Sequence, residues 1–114
     1  MMKVLKRLFV KTEVIDRSYQ LIEQIRKGAL LIDVRTAREA EMNGLSGTVN
    51  YPLDDLFKEM TKLNKDSAVI VFCRSGNRSR HAKQMLLENG FSAVQDARTV
   101  ENMKELLSIA YGNE

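Results

Sequence analysis

Ala68-Val69-Ile70-Val71-Phe72, then Cys73-Arg74-Ser75-Gly76-Asn77-Arg78, then Ser79 onward, is the stretch from which the fold is read. Five consecutive apolar residues, mostly β-branched, predict a short strand buried on both faces. The polar segment that follows, with two arginines and a glycine, predicts a loop. From Ser79 to Asn89, Ala82, Met85 and Leu86 share one helical face, and Gly90 supplies a stop. A buried strand, a tight polar loop and a helix are the half-unit of a parallel sheet.

The same alternation extends in both directions. Upstream, Ala29 to Val34 is a second continuous apolar run and predicts a buried parallel strand. Thr36-Ala37-Arg38-Glu39 has the form of a capping box that opens a short helix. Gly44 and Gly47 punctuate a loop, Thr48 to Tyr51 predicts a short strand, and Pro52 ends it. Residues 54–63 predict a helix with Leu56, Phe57 and Met60 inward. Earlier still, Asp16 is placed as an N-cap, with Tyr19, Ile22 and Ile25 at helical spacing and Gly28 as the stop. Downstream, Phe91 to Val94 predicts a strand, and residues 100–110 a last helix with Met103, Leu106, Leu107 and Ala110 inward. The expected fold is α/β: one domain over residues 13–114, with a mostly parallel central sheet and helices on both faces. Such sheets bind ligands at the carboxyl ends of their strands, where Cys73 falls.

Residues 1–12 read as an N-terminal extension. Val4, Leu5, Leu8 and Phe9 fall on one face, with Lys3, Lys6, Arg7 and Lys11 elsewhere. The expected role is an ordinary terminal element packed on the domain. The alternative is a basic amphipathic helix for a membrane surface or a partner.

Bulk composition narrows the classes. The chain has 114 residues, 44% hydrophobic and 29% charged, which suits one packed domain. A net charge of +3, from 18 basic and 15 acidic residues, makes no case for nucleic acid. A single cysteine excludes an internal disulfide and an internal resolving thiol. One cysteine and one histidine provide no metal site, and no cofactor is expected. No apolar run is long enough to span a membrane. Met1 to Thr12 lacks the apolar core and cleavage site of a signal peptide, so the expected location is cytoplasmic.

Cys73 is the candidate nucleophile. A thiolate is the reactive species, and an unperturbed cysteine has a pKa of about 8.5. Arg74 and Arg78 flank it, and the helix that follows should point free N–H groups back at the loop. Gly76 permits a positive φ, so the loop can curl its amides into an anion-binding nest. A cysteine serving only as a small core residue would have apolar neighbours instead. Arg35 is expected to pair with a nearby carboxylate, among Asp33 and Glu39, and to fix its turn. His81 is expected at the surface or in packing.

The segment Val71 to Ser79 closely resembles the active-site loop of rhodanese-like sulfurtransferases. Leu31-Ile32-Asp33-Val34-Arg35-Thr36, Glu39, and Gly47 to Leu53 resemble further stretches of that family in the same order. The resemblance implies a single-domain sulfurtransferase without a cofactor. Cys73 would take a sulfur atom from a small anionic donor such as thiosulfate and hold it as a persulfide. A thiol, cyanide or an acceptor protein would then remove it, in a double displacement. Arg74, Ser75, Gly76, Asn77, Arg78 and Ser79 would bind the donor or shape the loop, with the amides of 74–78 around the persulfide. Three departures from the family pattern stand out: Gly44-Leu45 in place of His-Ile, Arg98-Thr99 near a usual Gly-Gly, and Met103 for an aromatic. The Arg98-Thr99 change would alter the rim of the site. Two other classes remain at this point. A non-catalytic rhodanese-like binding module would keep the fold without the chemistry. A cysteine phosphatase or arsenate reductase would usually have Cys-x5-Arg, whereas Cys73 and Arg78 make Cys-x4-Arg.

Overall fold

The computed structural model describes residues 2–112, and side chains from residue 12 onward. Four strands lie in chain order: β1 (Leu30–Asp33), β2 (Val49–Asn50), β3 (Ala68–Cys73) and β4 (Ala93–Thr99). Five helices accompany them: α1 (Met2–Arg26), α2 (Ala37–Met42), α3 (Leu53–Glu59), α4 (Asn77–Glu88) and α5 (Val100–Tyr111). A single 3-10 turn, Met60–Lys62, extends α3. The sheet order is β2-β1-β3-β4, and every pairing is parallel.

Side-chain alternation along the central strands separates two cores. Leu31, Ile70 and Phe72 point to one face, where Leu21, Ile22 and Ile25 of α1 and Met103 and Leu106 of α5 cover them. Ile32, Val69, Val71 and Cys73 point to the other face, under Leu56, Met60, Ala82 and Leu86 of α3, its 3-10 extension and α4. Cys73 is therefore on the α4 side of the sheet because it is two and four residues from Val71 and Val69. Helices on both faces of a parallel sheet match the architecture expected from the sequence.

Several local expectations need correction. Asp16 caps nothing: it lies inside α1, which runs unbroken from Met2 to Arg26. Neither glycine nor proline interrupts residues 2–26, and aspartate is tolerated in a helix interior at a few tenths of a kcal/mol. The buried stripe of α1 is Leu21, Ile22 and Ile25, which leaves Tyr19 exposed. Phe57 is 61% exposed, because Leu56 and Met60 already define the inward face of that segment. Helix α4 starts at Asn77, two residues early, and β4 runs five residues past Val94. The apolar face expected within residues 1–11 lies outside the described side chains.

Strand β4 contains an irregularity that bears on the site. Val71 faces Asp96, but Phe72 faces Arg98, so Ala97 is an extra residue. Arg98 has φ +70°, the one non-glycine residue in the left-handed region among those described. Asp96 Oδ1 accepts the Arg98 N–H at 2.8 Å and holds the bulge. No helix among the described residues is long and apolar enough to cross a membrane.

Candidate active site

Cys73 ends β3 and is fully buried at the base of the loop that leads into α4. Gly76 has φ +94° and supplies the turn as the residue before the helix. An L side chain there would be strained by that φ, although the nearest atom, Cβ of Arg98, would be at an ordinary 3.6 Å. The turn aims backbone amides at the sulfur. Gly76 N–H donates to Cys73 Sγ at 3.0 Å and Ser79 N–H at 3.4 Å. These are free amides of a helix start, with its positive dipole end toward Sγ.

Burial pushes the Cys73 thiol pKa up, but the hydrogen bonds around it outweigh burial. The Ser79 hydroxyl, the Ser79 and Gly76 amides and the Ser75 amide together hold the thiol below its ordinary value. Ser79 is itself buried, and its Oγ lies within reach of Gly76 O (3.2 Å) and Arg98 O (3.4 Å), tying the loop to β4. Ser79→Ala should therefore raise the Cys73 pKa. Thiolate ultraviolet absorbance against pH reads it directly, since there is one cysteine. An unmoved or lowered midpoint would contradict the role given to Ser79.

Arg78 does not stand free beside the sulfur. Its guanidinium makes a two-pronged pair with Glu39, Nη1 to Oε1 at 2.6 Å and Nη2 to Oε2 at 3.0 Å. Glu39 is held by the capping box: its Oε1 accepts from Thr36 N–H at 3.1 Å and from Thr36 Oγ1 at 3.0 Å. The hydrogen bond from Arg78, against opposing burial, brings the Glu39 pKa down to about 2. That bond raises the Arg78 pKa in turn, and the charge of Cys73 adds to the rise.

Behind this pair lies a buried one. Arg35 Nη2 and Nε donate to Asp33 Oδ2 and Oδ1 at 2.7 and 2.9 Å, and Arg35 N–H donates to Asp33 Oδ1 at 3.0 Å. Arg35 Nη2 also reaches Asn43 O at 2.9 Å, past the end of α2. The pair fixes the turn from β1 into α2, as expected, and so positions Glu39.

The remaining site residues divide by exposure. Arg74, Ser75 and Asn77 are exposed at the loop rim. Among the described residues, no ion pair engages Arg74. His81 is exposed, in agreement with its surface reading. Sequence reasoning missed two participants: Glu39 as the partner of Arg78, and the Ser79 amide, one residue beyond the 74–78 set.

Comparison with known proteins decides the family. The family model described as "Rhodanese-like domain" matches residues 18–101. The chain belongs to the rhodanese-like domain family. Among relatives, it is 33% identical over 87 residues to an adenylyltransferase and sulfurtransferase, MOCS3-1, of Zea mays. That match covers 70% of this chain and 19% of the Zea mays protein. It is 32% identical over 69 residues to a sulfurtransferase of Allochromatium vinosum, covering 60% of this chain and 64% of that protein. Among solved structures, a rhodanese from E. coli, determined with anions, superposes with a TM-score of 0.61 at 28% identity. It covers 66% of this chain and 91% of the E. coli chain. The rhodanese-like chain thus spans a fraction of the length of the first relatives, and sulfurtransferases recur among them.

Proposed function

We propose that this rhodanese-like domain carries sulfane sulfur on Cys73 between an anionic donor, such as thiosulfate, and an external thiophile. The observation that supports this most is the convergence of the Gly76 and Ser79 amides on a buried Sγ at the start of α4. Those donors suit a thiolate and, one atom further out, a persulfide anion. The thiolate attacks the outer sulfur of thiosulfate. The sulfur–sulfur bond of the donor breaks, its electron pair leaves with sulfite, and Cys73 keeps the sulfur as an anionic persulfide. Without a second cysteine in the chain, the sulfur leaves to cyanide, a thiol or an acceptor protein.

Intact mass after incubation with thiosulfate tests this. The expected result is a gain of one sulfur atom that cyanide removes. No gain from thiosulfate and none from an organic persulfide would overturn it. The two arginines should differ. Arg78→Ala should slow loading about 100-fold, the scale for losing one preorganised electrostatic group, because Glu39 would then face the anionic donor unpaired. Arg74→Ala, which removes an exposed charge, should cost only a few-fold. Stopped-time mass spectra measure both, and equal negligible effects would sink the electrostatic role.

A further inference from the structure

A concave surface lies against the outer side of the loop and takes in Ser75, Gly76 and Asn77. It is a groove of about 840 Å³ between α1, α4 and the edge strand β4. Gly76 links the groove to the sulfur directly: its amide donates to Sγ, and it lines the groove between Ser75 and Asn77. The rim is strongly cationic. Arg80 and Lys83 of α4, Arg98 of β4 and Arg17 of α1, which pairs with Glu13 at 3.7 Å, face it, with Asp96 the one carboxylate in the lining. Among the described residues, no ion pair engages Arg80, Lys83 or Arg98.

The floor is a strand edge. β4 pairs on one side only, with β3, so its other side is an open edge up to the bulge, beyond which Ala97 O, Arg98 N–H and Arg98 O are already engaged by Asn102, Asp96 and Ser79. Gln95 lines the groove, and its Oε1 is buried without a hydrogen-bond partner. A buried acceptor without a donor is uncommon. Charges that only protect an edge from pairing sit on the strand itself. Here three of the four cations stand on the flanking helices instead. The fourth, Arg98, is held in left-handed backbone, a conformation that a longer side chain adopts at a cost and that clusters at functional positions.

We infer that the groove docks an extended, acidic polypeptide segment alongside β4, presenting a partner protein to the Cys73 loop. Extended chain suits an unpaired edge, where its backbone supplies the missing hydrogen bonds. Acidic side chains suit the rim. Leu21, with Arg17 and Gln20 on the same wall, offers an apolar contact between the charges. The inference rests on the persulfide reading for what the docked partner receives, but docking itself requires no sulfur chemistry.

The test uses a short fluorescent peptide alternating glutamate with valine and threonine, titrated with the full chain by anisotropy. Saturable binding is expected, weaker with added salt and at least ~10-fold weaker for the Arg80→Glu/Lys83→Glu double variant. Methylating alternate peptide amides should also weaken it. Circular dichroism confirms that the variant is folded, and single reversals replace it if it is not. Four results would each overturn the inference: no binding, equal binding by the variant, equal binding of a lysine-for-glutamate peptide, or preferential filling of the groove by an oligonucleotide or a second copy of the chain. Repeating the titration with Cys73→Ser separates the two readings. Peptide binding without mass gain in the parent defeats the persulfide alone, and mass gain without peptide binding defeats the groove alone.

Discussion

A Cys73→Ser variant should gain no sulfur after any exposure to thiosulfate, yet fold as the parent does. The chemical half follows from the atom removed. A serine hydroxyl stays protonated at neutral pH and forms no stable bond to sulfane sulfur, and the chain holds no other cysteine to substitute. The structural half follows from the surroundings. The replacement oxygen is smaller than sulfur and can still accept from the Gly76 and Ser79 amides. It would stand beside apolar neighbours on the α4 face of the sheet, so a cost of about 1 kcal/mol is expected rather than unfolding. Mass spectra and thermal melts of the two proteins check both halves. Sulfur retained by the variant would place the carrier somewhere other than Cys73. A collapse of the melt would show that the thiol is structural.

Most of the architecture was legible because its signals are local. The run from Ala68 to Phe72 can be little but a doubly buried strand, and Thr36 with Glu39 forms the capping box that their spacing predicts. What failed was choice among adjacent residues. Asp16 is a good cap by type, but no helix breaker precedes it, so the helix continues through it. Phe57 is apolar, but it sits next to Leu56 and about 100° around the helix from it, on the solvent side.

The site divided along the same line. Cys73, the turn glycine Gly76 and the start of α4 at Asn77 lie within a few residues of one another, and the loop was read from residue types and order, with the helix start misplaced by two residues. The Glu39–Arg78 pair spans 39 positions and two elements. No local period reveals it. Arg98 posed a harder case. Its departure from a glycine pair was visible, but the extra residue Ala97 and the positive φ arise from register between β3 and β4. Register is set by pairing, which one strand's sequence does not contain.

Arg35→Ala should destabilise the domain by about 3–5 kcal/mol, the range for removing one partner of a buried ion pair. Asp33 and Arg35 are 1% and 3% exposed, so the carboxylate left behind could not turn to water. It would also lose three of its hydrogen bonds, two from Arg35 Nε and one from Nη2, and keep only the one from the backbone N–H of residue 35. Since domains of this size are stable by about 5–15 kcal/mol, the loss is a large fraction of the whole. Arg35→Lys should recover only part of it, because an ammonium cannot serve both oxygens of Asp33 and Asn43 O in one plane. The double variant Asp33→Ala/Arg35→Ala should be more stable than the sum of the single losses, because no unpaired charge remains inside. Urea titrations of the four proteins supply the comparison. The damage should also reach the sulfur site, since Arg35 holds the end of α2 and α2 carries Glu39 to Arg78. A folded Arg35→Lys protein should therefore load sulfur more slowly than the parent. If Arg35→Ala lost less than about 1 kcal/mol, the range of exposed pairs, the pair would not be the buried anchor that its geometry describes.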